Sequence, residues 1–249
     1  MIKIDDLNAD WNEIINLKDS ITLSWPVMPL RDGAGDSALI GRTYFGRHID
    51  IWVKLINLLL RIPPQEQGLR ILITAMSIGC ELYDAARIAG EKELYNRHPG
   101  TVFYGHDISE KFTRRAQDAL YPQHIVPHNM PRRKRYLRDS KDYEGYLEVH
   151  PDIKNRVKIL PASDARDLSG WFDVVVCNYV NPQPSDYDGF IAHLRGLSRH
   201  FTMYKRRVVG LSHEYGEHTD PEERCAYLFQ EPLGTLPGSD AEISIPQML

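Results

Sequence analysis

Hydrophobic and polar positions divide the chain into stretches of different period. Over 49–62 the residues are mostly Ile, Trp, Val and Leu, and Asp50, Lys54, Asn57 and Arg61 fall at i, i+4, i+7 and i+11. One polar stripe on an apolar surface predicts a helix buried around most of its circumference, ended by Pro63-Pro64. A rhythm begins at residue 70. The apolar runs 70–76, 101–105, 156–160, 172–177 and 206–211 read as five strands, and 81–90, 110–120 and 187–200 read as helices. Ser109 is placed as the N-cap of the second of these helices. The run Val174-Val175-Val176-Cys177 lacks polar alternation, as in strands buried on both faces of a parallel sheet. Strands alternating with helices predict an α/β fold, a doubly wound and mostly parallel sheet with helices on both sides.

Two regions fall outside that rhythm. Residues 1–40 form a short N-terminal segment, broken by Pro26, Pro29 and the run Asp32-Gly33-Ala34-Gly35-Asp36. Residues 121–155 carry Pro122, Pro127, Pro131 and the basic run Arg132-Arg133-Lys134-Arg135, followed by the alternating Tyr143–Val149 segment. This reads as a small β insertion on the ligand-binding edge, so that 41–249 form one domain with 121–155 inserted in it.

Composition narrows the classes. Of the 249 residues 42% are hydrophobic and 10% aromatic, enough for a sizeable core, and the formal net charge is -4. Nucleic-acid binders are normally basic overall, so that partner is not expected. The three cysteines, Cys80, Cys177 and Cys225, form no disulfide framework; Cys80 and Cys177 read as small buried hydrophobes. The opening Met1-Ile2-Lys3-Ile4-Asp5-Asp6 lacks the basic and apolar regions of a secretory signal, and 49–62 is too interrupted for a membrane span. A cytoplasmic location without membrane insertion is expected.

In an open α/β sheet ligands lie beyond the carboxyl ends of the strands, and three loops fall there. The first, Met76-Ser77-Ile78-Gly79-Cys80-Glu81, carries a Gly that permits close approach of backbone to a ligand. It has neither a dinucleotide glycine fingerprint nor a triphosphate loop. Glu81 would repel phosphates and suits a ligand bearing an amino group, or else a helix N-terminus. In the second, Tyr104-Gly105-His106-Asp107, Asp107 stands where an acid accepts hydrogen bonds from ribose hydroxyls. The third, 161–166, offers Ser163 and Asp164 beside an adenine amine. The histidines of His213-Glu214-Tyr215-Gly216-Glu217-His218 are five apart, a spacing that does not share a helix face, and no metal site is expected.

The order of these features resembles one family. Thr43-Tyr44-Phe45-Gly46-Arg47, Ser77-Ile78-Gly79-Cys80-Glu81-Leu82-Tyr83, Phe103-Tyr104-Gly105-His106-Asp107-Ile108, Met130-Pro131 to Leu137, Val157 to Asp164 and Phe172 to Cys177 follow one another as in the chemoreceptor glutamate methyltransferases of bacterial chemotaxis. The resemblance spans about residues 40–215. It implies a Rossmann-like methyltransferase fold with a small β insertion, and S-adenosyl-L-methionine (SAM) as cofactor. On the matching positions it implies Arg47 at the SAM carboxylate, Glu81 at its amino group, Asp107 at the ribose, and Ser163 and Asp164 at the adenine. Further cofactor contacts are implied at Thr43, Ser77, Gly79, Ile108 and Asn178, and catalytic roles at Arg47 and Tyr179.

Departures from the family pattern are Gly46 and His48 around Arg47, Cys80 and Leu82 in the turn, and the Asn178-Tyr179-Val180-Asn181-Pro182-Gln183 segment. The acceptor implied is a carboxylate or another nucleophile on a protein or small molecule. A carboxylate needs no general base, whereas an amine or hydroxyl would, with Tyr179, His106 and His48 as candidates. The altered 178–183 segment leaves open a non-catalytic SAM- or nucleotide-binding interaction protein. A nicotinamide dehydrogenase is disfavoured by the missing glycine fingerprint.

Overall fold

The computed structural model describes residues 45, 49–123, 126, 135–178, 187–207 and 225–230. Thr43, Arg47 and Tyr179 lie outside the described residues. So do 1–44, His48, most of the basic run at 132–135, and His213–His218.

The core is a six-stranded sheet in the order β6-β2-β1-β7-β8-β9, with β1 Arg70–Thr74, β2 Val102–His106, β6 Val157–Ile159, β7 Phe172–Asn178, β8 Ser198–Arg207 and β9 Cys225–Gln230. Neighbours from β6 through β8 run parallel, and β9 closes the edge antiparallel to β8. Strand order reverses between β1 and β7, and in open α/β sheets ligands bind outside the carboxyl ends of the strands at such a switch point.

The central strands carry continuous apolar runs, Ile71–Ile73 and Val174–Cys177, because both faces are covered. Ile71, Ile73, Val174 and Val176 pack with Trp52, Leu55, Ile56 and Leu59 of α1 (Ile49–Leu59) and with Leu82, Ala85, Ala86 and Ala89 of α2 (Cys80–Glu91). Leu72, Val175 and Cys177 point the other way, onto Phe190, Ile191 and Leu194 of α6 (Tyr187–Gly196). Cys80 and Cys177 are buried, as their reading as small hydrophobes required. On α1 the polar stripe faces outward at Lys54 and Asn57, while Trp52, Leu55, Ile56 and Leu59 are at most 1% exposed.

Helix α3 (Leu94–Arg97) precedes β2, and α4 (Glu110–Asp118) follows it. The side chain of Ser109 accepts from Phe112 N at 3.4 Å, the N-cap expected there. A second sheet, antiparallel in the order β3-β5-β4, is made by β3 Leu120–Pro122, β4 Leu137–Asp139 and β5 Tyr146–Val149. The short α5 (Pro151–Lys154) leads back to the main sheet. Phe45 packs edge-on against Tyr121, ring centroids 4.8 Å apart, and joins Ile78, Cys80, Tyr83 and Phe112 in a cluster that fastens this sheet to the start of α2.

Three boundaries differ from the sequence expectation. Helix α1 stops at Leu59, with Ile62 N bonded to Leu59 O before the prolines, because Pro63 constrains the residues before it as well as itself. Helix α6 stops at Gly196, and the fifth strand begins at Ser198 rather than near Arg206. There the pairing of Phe172 with Ser198 and of Val174 with Phe201 overrides local helical spacing. The antiparallel β9 was not foreseen from its sequence.

At the amino edge of the sheet, cations and rings from adjacent strands alternate. Arg70 lies 5.4 Å from the Tyr104 ring centroid and 4.6 Å from that of Trp171, and Arg199 covers Trp171 at 3.1 Å. Such contacts contribute roughly 0.5–1 kcal/mol each at exposed positions, and they keep the half-exposed Trp171 ring against the protein.

Candidate active site

Register sets the first row of the site. Thr74 pairs with His106 on one side and with Cys177 on the other, so β2, β1 and β7 end level. The turn that leaves β1 bends tightly to enter α2. Ala75 (φ 57°), Ser77 (φ 53°) and Gly79 (φ 86°) all take left-handed backbone conformations. For the non-glycine residues this costs roughly 1–3 kcal/mol each, and it persists only where the surroundings impose it. Gly79 is needed twice: its φ is positive, and a Cβ there would sit 2.9 Å from Ala116 Cβ.

The surroundings impose the turn through hydrogen bonds. Met76 N donates to His106 O at 3.1 Å, Gly79 N donates to Met76 O at 3.1 Å, and Tyr121 Oη donates to Ile78 O at 2.7 Å. Asp107, 5% exposed, accepts from Ser77 N at Oδ2 (2.7 Å) and from Ser109 N at Oδ1 (3.0 Å). One carboxylate thus ties the β1 turn and the start of α4 to the end of β2. Each oxygen of an ionised carboxylate can accept more than one hydrogen bond.

Glu81 is 4% exposed in the first turn of α2, where a carboxylate also complements the helix dipole. Ile108 follows Asp107 and is 53% exposed, a large apolar side chain left at the rim. The loop after β6 joins the same edge: Leu160 N donates to Gly105 O at 2.8 Å and Ser163 N to Asp107 O at 3.4 Å. Asp164 is turned to its own loop. Its Oδ1 accepts from Arg166 N at 2.9 Å and its Oδ2 from the Arg166 guanidinium at 2.6 Å, which holds its carboxyl below the usual range. Asn178 closes β7, paired in register with Lys205. Phe45, between Thr43 and Arg47 in the chain, clusters with Ile78 and Cys80 of the turn.

Ser77, Gly79, Glu81, Asp107, Ile108, Ser163 and Asp164 therefore lie on three loops at one sheet edge. Sequence reasoning missed the contacts that assemble them: Tyr121 on the Ile78 carbonyl, and a link from Thr74 through the buried His106 ring to Ser163. The signal for the second was a histidine directly before the acid, at the end of an apolar strand. Burial lowers the His106 pKa and keeps the ring neutral near pH 7.

A doubly wound sheet with its order reversing beside two buried carboxylates belongs to the nucleoside-cofactor-binding α/β proteins. Within that class, the family described as CheR methyltransferase, SAM binding domain, matches residues 42–181, more than half of the chain. The chain belongs to this family and is a SAM-dependent methyltransferase.

Among solved structures, magnesium protoporphyrin IX methyltransferase (ChlM) of Synechocystis PCC 6803 with bound SAM is 17% identical, with 68% of this chain and 67% of that one covered, at a TM-score of 0.39. A SAM-dependent methyltransferase from Thiobacillus denitrificans in complex with S-adenosyl-L-homocysteine is 18% identical, with 69% of this chain and 52% of that one covered, at a TM-score of 0.37. The fold assignment rests on the strand order rather than on these likenesses. No curated protein matches the chain. Among the described residues no helix is long and apolar enough to cross a membrane.

Proposed function

We propose that this methyltransferase esterifies a carboxylate, carried by a protein or small molecule, and that its cofactor lies along the edge formed by 75–81, 107–108 and 160–164. The donor set supports the fit. Glu81, in the first turn of α2, and Asp107, directly after β2, are buried carboxyl side chains, suited to an ammonium and to a pair of hydroxyls, and Ile108 offers an apolar rim to a ring. Glu81 would hold the amino group, Arg47 the carboxylate, Asp107 the ribose, and the Ser163 main chain with Ile108 the adenine. Thr43, Ser77, Gly79, Asp164 and Asn178 would complete the contacts, and Tyr179 would stand beside the acceptor. When bound, SAM supplies a methyl group on a sulfonium sulfur, which passes to an acceptor oxygen while the carbon–sulfur electron pair returns to sulfur.

Of the three candidate bases, His106 lies among the described residues, and its state is the observation that favours the carboxylate reading. The ring is 1% exposed, with Nδ1 3.0 Å from Thr74 Oγ1 and Nε2 3.1 Å from Ser163 Oγ. A histidine committed at both nitrogens does not take a proton from an acceptor. A carboxylate acceptor requires no such transfer, and the protein's part is then to position the two reactants. The three-stranded sheet at 120–149 and the segment 212–249 are the proposed places of acceptor selection.

Methyl-labelled SAM incubated with the protein and a cell extract tests this. Label released as volatile methanol by mild alkali marks a methyl ester and is the expected result. Base-stable label would overturn the carboxylate reading.

A further inference from the structure

His106 is the last residue of β2, and its ring joins parts of the chain that are distant in sequence. Thr74, on its Nδ1 side, is its register partner on β1. Ser163, on its Nε2 side, belongs to the loop after β6, the strand on the opposite flank of β2. The imidazole therefore spans the carboxyl edge beneath Asp107. Its main chain acts in parallel, since His106 O accepts from Met76 N at 3.1 Å. Thr74 and His106 are each 1% exposed, so water does not replace the bond between them, whereas the bond to Ser163 is only partly buried. The loop it reaches is otherwise tied to β2 by Leu160 N on Gly105 O at 2.8 Å and by the longer Ser163 N on Asp107 O at 3.4 Å. Next to that longer bond, the contact from His106 Nε2 to Ser163 Oγ holds the Ser163 side chain to the sheet.

We propose that His106 is a positioning residue for the cofactor: acting through Ser163, it holds the 160–164 loop at the edge where the adenine is received. This rests on the reading of that edge as the SAM site. The two ring nitrogens have separable tasks. Nδ1 fastens the ring to β1, and Nε2 carries that anchorage to the loop. Amide side chains distinguish them, because Asn places its amide near the Nδ1 position and Gln reaches the Nε2 position. His106→Asn keeps a partner for Thr74 and loses Ser163, whereas His106→Gln keeps a partner for Ser163.

The test is calorimetric titration of the full chain with S-adenosylhomocysteine. Ser163→Ala and His106→Asn are each expected to weaken binding about tenfold, the value of one hydrogen bond. His106→Gln is expected to stay within about threefold of the parent protein. The double variant His106→Asn/Ser163→Ala should bind no more weakly than His106→Asn, because both changes break one contact. A Gln variant as weak as the Asn variant, losses that multiply in the double variant, or a silent Ser163→Ala would each overturn the inference. Should His106→Asn fail to fold, the Gln and Ser163→Ala variants still decide. Asp107→Asn separates the two levels. If it abolishes binding while Ser163→Ala is silent, only the role of His106 fails; if it is silent too, or the parent protein binds nothing, the reading of the edge as the SAM site fails.

Discussion

The backbone N–H of Ser77 donates to Oδ2 of Asp107 at 2.7 Å, across 30 residues of sequence. Ser77 stands in a left-handed conformation, φ 53°, and this bond gives its amide a charged acceptor in a place that water does not reach. The same carboxylate takes Ser109 N. Asp107 is therefore a structural clasp as well as the proposed ribose ligand, and the two roles use different lone pairs of the same oxygens.

Replacing Asp107 by Asn removes the charge and turns one acceptor into a donor, which then faces either Ser77 N or Ser109 N. Hydrogen bonds to a charged group contribute about 1.5–3 kcal/mol each. Affinity for S-adenosylhomocysteine is expected to fall about tenfold to 100-fold, measured by calorimetry. An unchanged affinity would remove Asp107 from the site.

Glu81 is proposed to meet the amino group alone. Glu81→Gln should therefore weaken S-adenosylhomocysteine by about tenfold or more while leaving adenosine, which lacks that group, bound as before. Equal losses for both ligands would show that the substitution disturbs α2 rather than a ligand contact.

Gly105 lies in β2 between the turn and the loop, where an added Cβ would overlap Met76 Sδ and Leu82 Cδ2. Gly105→Ala is expected to cost about 1–3 kcal/mol through overpacking, read as a lowered Tm by circular dichroism. A neutral or stabilising result would mean that Met76 and Leu82 move aside freely.

His98, His106 and His200 each have a pKa lowered below the ordinary 6.5, in every case chiefly by burial. Below pH 6.5 the unfolded chain thus binds protons that the folded chain refuses. Stability is full above pH 6.5 and is lost as pH falls from there through the lowered folded values. His98 adds a specific reason, since its Nδ1 accepts from Gln65 N at 3.3 Å and protonation would remove that acceptor. Tm should fall between pH 7.5 and 5.5, and His98→Asn, which keeps an acceptor but does not titrate, should flatten the slope. A Tm constant over that interval would contradict the assignment.

Much of the fold was legible along the chain. Ile71-Leu72-Ile73 and Val174-Val175-Val176 announced strands covered on both faces, because continuous apolar runs are stable only between two helical layers. Ser109 announced the start of α4, and the order of turn glycine, Glu81, Asp107 and Ser163 announced segments that the fold brings to one sheet edge. Local signals weakened where pairing decided the outcome. Ser198 to Arg207 alternates poorly, and it forms a strand because Phe172 to Asn178 offers an unpaired edge. The β9 segment depends in turn on β8.

The sequence by itself determined where β1, β2, β6 and β7 and the helices α1, α2 and α4 form, and in what order the acids and glycines follow them, because those features follow from side-chain period and backbone freedom over a few neighbours. Only the tertiary structure decided that β1 stands between β2 and β7, that Asp107 clasps Ser77, and that the His106 ring links Thr74 to Ser163. Those relationships join residues far apart in the chain, and their energy depends on burial and on hydrogen-bond geometry that no local period records.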